Sequence, residues 1–80
     1  MIEFYATVIF ENQEELKDFK IDVMKNNMHI RVETPDNGEQ HFAIQGDWNG
    51  YRYLLGLSAK QGNDKEKGKY HISSLEHFED

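Results

Sequence analysis

Apolar and polar residues alternate along the opening segment. Ile2, Phe4, Ala6, Val8 and Phe10 share one side, and Glu3, Tyr5, Thr7 and Ile9 share the other. That period of two predicts a half-buried strand over 2–10. The chain then turns polar at Glu11-Asn12-Gln13-Glu14-Glu15. Asn12 followed three places later by Glu15 has capping-box spacing, and acids in a first turn suit the positive end of a helix. A short helix is therefore predicted over 11–18.

The next stretch fits two periods. Leu16, Phe19, Val23 and Met24 make a helical stripe, whereas Phe19, Ile21 and Val23 fit a strand. A two-residue turn at Asn26-Asn27 favours the strand. It sets Val23 against Ile30 and Ile21 against Val32, and pairs Asp22 with Arg31 and Lys20 with Glu33. A three-residue loop at Asp36-Asn37-Gly38 then places Val32 opposite Phe42, Ile30 opposite Ile44 and Glu33 opposite His41. Asn49-Gly50 is the strongest short hairpin signal in the chain, and it pairs Trp48 with Tyr51, Ile44 with Leu55 and Asp47 with Arg52. A helix over 47–60 is the rival reading, against which Gly50 and Gly56 each weigh about 1 kcal/mol. Lys60 to Lys69 reads as a solvated loop, and Ser73 with Glu76 as the cap of a helical segment over 73–79.

These registers compose into an all-β or β-rich α+β fold. Its expected form is an antiparallel meander of six strands, curled into a small barrel or coiled sheet and plugged by Leu16, Leu75 and Phe78. The alternative is a βαββαβ two-layer sandwich, which takes the helical reading at both ambiguous segments. A second copy stacked on the apolar face would also cover it, so a homodimer stays open.

Eighty residues make one domain, 1–80. No run approaches the roughly 18 apolar residues of a membrane span, and no secretory signal pattern precedes the first strand. The absence of cysteine removes disulfides and thiolate metal sites, which favours a cytoplasmic protein. A net charge of −6 argues against nucleic acid and anionic membranes as partners and is compatible with a basic protein.

Chemistry is sparse. His29, His41, His71 and His77 lack the paired spacing of a zinc site and read as surface residues, so no metal or cofactor is expected. No serine sits in a nucleophile elbow, and no carboxylate lies in an evident apolar pocket, so no catalytic residue is expected and the chain is not read as an enzyme. Two features fit binding. One is an aromatic hairpin tip of Trp48, Tyr51 and Tyr53 flanked by Asp47 and Arg52. The other is an acidic cluster of Glu14, Glu15 and Asp18, with Glu11 beside it and Glu76, Glu79 and Asp80 within reach. The expected function is a stoichiometric protein-binding module that engages a basic partner, in the manner of small cytosolic or virus-borne inhibitors and accessory proteins. A β-barrel that binds a small molecule among Phe4, Phe42, Trp48, Tyr53 and Leu55 is the alternative. A homo-oligomeric structural protein is the second.

Overall fold

A computed structural model describes residues 1–78, with Phe78 placed by its backbone. Four strands and two helices alternate: β1 (Ile2–Ile9), α1 (Gln13–Lys25), β2 (His29–Asp36), β3 (Glu39–Gly46), α2 (Trp48–Gln61) and β4 (His71–Phe78). The strands form one antiparallel sheet in the order β2-β3-β1-β4. This is a small α+β domain, about 40% strand and 35% helix, and not a six-stranded barrel. The element order is that of the βαββαβ alternative, a split βαβ arrangement in which β3 enters between β1 and β2.

The strand over 2–10 is borne out by β1, which buries Phe4, Ala6 and Val8 on one side. The helix start is borne out as well. Asn12 Oδ1 accepts the Glu15 amide at 3.0 Å, and Glu15 Oε1 accepts the Glu11 amide at 3.1 Å, so one donor of the first turn and the amide just before the cap find acceptors. The expected helix end near residue 18 is not. α1 continues to Lys25, burying Leu16, Phe19 and Val23 at helical spacing. Ile21 and Met24, two residues on which the alternative readings turned, face solvent. A one-sided sheet must be covered, and a helix covers it with fewer than half of its residues.

Asn49-Gly50 is the second correction. The Asp47 carboxylate accepts the Gly50 amide at 2.9 Å and caps α2, so the segment 47–59 read as a hairpin is a helix. Gly50 is needed there for proximity. A Cβ on it would lie 2.6 Å from Cγ of the buried Met28. The two-residue Asn-Gly turn of the molecule is instead Asn37-Gly38, with φ of 43° and 81°, closing β2 onto β3 with Asp36 opposite Glu39. His41 thus faces Thr34, where Glu33 was expected.

The third correction is β4, a strand where a capped helical segment was expected over 73–79. Ile72 and Leu75 stand opposite Val8 and Ala6, the second pair shifted by a bulge at Ser73. Glu79 and Asp80 lie outside the described residues. The core fills the space between helices and sheet: Phe4, Phe19, Phe42, Ile44, Leu54 and Ile72 are fully buried, with Phe19 against Phe42 and Tyr70 at ring distances of 4.8 and 5.2 Å. No described helix is long and apolar enough to cross a membrane.

Candidate functional site

Both helices lie on one face of the sheet, the face that buries Phe4, Ala6, Val8, Phe42 and Ile44. The opposite face carries the alternate residues of the same strands: Glu3, Tyr5 and Thr7 from β1, His41 and Ala43 from β3, Ser74 and Glu76 from β4. An irregularity of the β2–β3 ladder between Ile30 and Val32 leaves Arg31 as an extra residue and delivers both Arg31 and Val32 to this face. Together they line a groove of about 620 Å³.

The groove has an apolar floor and a charged rim. Tyr5 is 40% exposed and Val32 52%, with Ala43 beside them. Tyr5 donates its hydroxyl to Glu3 at 3.2 Å, and Arg31 lies 3.4 Å from both Glu3 oxygens. At one end His41 shares a 3.0 Å hydrogen bond between Nδ1 and the Thr7 hydroxyl. Its Nε2 lies 3.5 Å from Asp36 Oδ2 and 4.0 Å from Glu39 Oε2. Glu3, Asp36, Glu39 and Glu76 ring the face against one guanidinium, so the open face is acidic while the outer surface of α2 carries Arg52 and Lys60.

The expected site residues do not converge here. Trp48 and Tyr51 sit in the first turn of α2, edge-on to each other at 5.8 Å and each 5.0 Å from the His77 ring, with Phe4 beneath Tyr51 at 5.5 Å. Tyr53 points away from them, toward α1. Partial burial raises its pKa above the usual tyrosine value, and the charge of Asp22 adds to the effect. Nearby, the Tyr70 hydroxyl donates to Asp22 Oδ2 at 2.7 Å, and burial together with that bond raises its pKa strongly. Asp47 is occupied as a helix cap. It makes no pair with Arg52, which has no ion pair among the described residues. The residues grouped as an aromatic tip are thus split between two sides of one helix.

The acidic cluster also divides. Glu14 and Asp18 are exposed one turn apart on α1, but Glu15 is 2% exposed and 2.7 Å from Lys65 Nζ. That hydrogen bond holds the Glu15 carboxyl below the usual carboxylate range; burial opposes the shift, and the Glu11 amide supports it. Lys65 belongs to the segment expected to be a free loop, which the ion pair instead ties to the start of α1. The fold is not a barrel, and the residues expected to line its interior do not meet: Phe4 and Phe42 are packed in the core, while Leu55 is 47% exposed on the outside of α2. His71 corrects the expectation of four surface histidines, since it is buried and its Nδ1 has no hydrogen-bond partner among the described residues.

The open-face groove was missed because its residues come from four strands whose order the sequence does not reveal. The only local signal was the carboxylate pair flanking the Asn37-Gly38 turn, with His41 two places on. Comparison of the chain with protein-family models, curated proteins and solved structures finds no match.

Proposed function

We propose that the chain is a cytoplasmic, stoichiometric protein-binding module, an inhibitor or accessory subunit, that engages a basic partner through the uncovered face of its sheet. The observation that supports this reading is the apolar floor of Tyr5, Val32 and Ala43 in a groove edged by Glu3 and Glu76, with Asp36 and Glu39 at the turn end of the same face. An aromatic and aliphatic centre with a charged surround is how protein interfaces divide the work. The centre supplies desolvation, and the rim supplies steering and choice of partner. In this reading the chain is not an enzyme, and the groove binds without transforming.

A second reading rests on α2. Trp48, Arg52 and Leu55 are exposed at i, i+4 and i+7 along one flank, and Trp48 is braced by Tyr51 and His77, so it loses little freedom on docking.

Retention of a partner from lysate of the native host, followed by mass spectrometry, identifies the partner and allows the two surfaces to be compared. Val32→Asp is expected to abolish retention, because it places a charge at the centre of the floor. Trp48→Ala and Leu55→Ala are expected to leave it intact. The opposite pattern assigns binding to α2. A chain that retains only itself, and doubles its mass in solution, belongs to the homo-oligomeric class.

A further inference from the structure

We propose that Asp36, Glu39 and His41 form a binding site for a divalent transition-metal cation of the zinc type, at the turn end of the open sheet face. Each offers one donor atom, and the three donors lie within 4.8 Å of one another. The two contacts to His41 Nε2 are 3.5 and 4.0 Å. Four ligands at about 2.0–2.1 Å around a tetrahedral ion stand about 3.3–3.4 Å apart, so small rotations of exposed side chains bring the three into range.

Two further features separate this set from a chance grouping of surface acids. The first comes from another strand. Thr7 on β1 holds His41 Nδ1 at 3.0 Å; with Nδ1–H donating to the hydroxyl, the lone pair of Nε2 is directed at the two carboxylates. A ring nitrogen fixed by an outer partner, leaving the other free to ligate, is the arrangement metal-binding histidines use. The second is electrostatic. Asp36 and Glu39 face each other across the turn, and neither has a lysine or arginine partner among the described residues. A dication would neutralise both. The donor set selects the class of ion: imidazole with carboxylate suits zinc and its neighbours, whereas magnesium and calcium prefer oxygen donors alone. Three protein ligands leave the fourth position to water.

The site was passed over in the sequence because pairs of histidines were sought. Here one histidine is completed by the two residues that flank a type I′ turn. Its backbone is set by that turn and by the β2–β3 ladder, so only side-chain rotations are needed to close the three ligands on an ion.

The test is titration of chelator-treated protein with zinc chloride in a non-coordinating buffer, followed by calorimetry and by NMR of the histidine rings. One zinc per chain is expected. The His41 ring and the Asn37 and Gly38 amides should shift first, the His29 and His77 rings should stay unmoved, and magnesium should not compete. Thr7→Val should weaken binding by roughly tenfold, the low end of the 10–100-fold that outer partners contribute at tuned sites, and loss of the ligand itself in His41→Gln by a larger factor. Both substitutions are on exposed or half-exposed positions, and an unchanged amide spectrum elsewhere verifies the fold. Absence of saturable zinc binding overturns the proposal. So does affinity unchanged by His41→Gln, or ring shifts that occur at His29 or His77 instead.

Discussion

A single carboxylate shows how far a residue's role depends on where the chain carries it. Glu14, Glu15 and Asp18 look equivalent in the sequence, yet only Glu15 is buried, bound to Lys65 and to the Glu11 amide. Its folded-state pKa lies below its unfolded value, with the Lys65 bond as the main cause. The stability it contributes is therefore complete above the ordinary carboxylate range and is lost as the pH falls through the lowered pKa. Glu15→Gln is expected to flatten the acid limb of a plot of stability against pH, which thermal melts from pH 6 to pH 2 read. Reversing all three acids to lysine, harmless if they formed a solvated patch, should unfold the start of α1. The same reasoning separates Ile44 from Leu55, which the hairpin reading paired across one row. Ile44→Ala should cost about 2–5 kcal/mol because the side chain is fully buried. Leu55→Ala should cost about 0.5 kcal/mol or less, as at most surface positions. Equal losses in urea melts would show that α2 is not seated as described.

Elements were legible where one period held and illegible where an irregularity imitated another. β1 has an unbroken alternation, and the α1 cap is a local hydrogen-bond pattern, so both could be read directly. β4 could not. Its bulge at Ser73 adds one residue, so Ile72 and Leu75 reach the same face at a spacing of three, the signature of a helix. The irregularity at Arg31 does the converse in β2, turning Val32 outward where unbroken alternation from Ile30 kept it inside. Both Asn-Gly pairs read as hairpins, Asn49-Gly50 the more strongly, yet Asp47 caps Gly50 and starts a helix there. The glycines of α2 provide the test at this scale. Gly50→Ala forces a methyl against Met28 and should destabilise by about 1–3 kcal/mol despite the gain in helix propensity. Gly56→Ala meets nothing within 4 Å and should stabilise by roughly 0.5–1 kcal/mol. Paired chemical denaturation reads both.

For the whole molecule, the separation of helices and open sheet onto opposite sides makes the two faces electrically different. Glu76→Lys lies on the acidic face, away from the core, and should leave stability within about 0.5 kcal/mol. If a basic partner docks there, the substitution should slow association at low salt. The deficit should shrink as the screening length falls from roughly 30 Å at 0.01 M to 8 Å at 0.15 M. Stopped-flow rates across that range check it, and a salt-independent loss would place the contact elsewhere. Only half of this site was readable beforehand: the charge balance announced an acidic surface, but strand order decided which acids share it. The strand order also bears on how the chain reaches its native state. β1 occupies the interior of the sheet between β3 and β4, so Glu3 pairs with both Gln45 and Phe78. During synthesis the first strand must therefore wait for the β2–β3 hairpin on one side and for the last strand on the other. Until residues 71–78 clear the ribosome it presents a bare hydrogen-bonding edge beside Phe4 and Val8. A ribosome stalled before β4 should leave residues 2–9 open to protease and to holding chaperones while the β2–β3 hairpin is already formed.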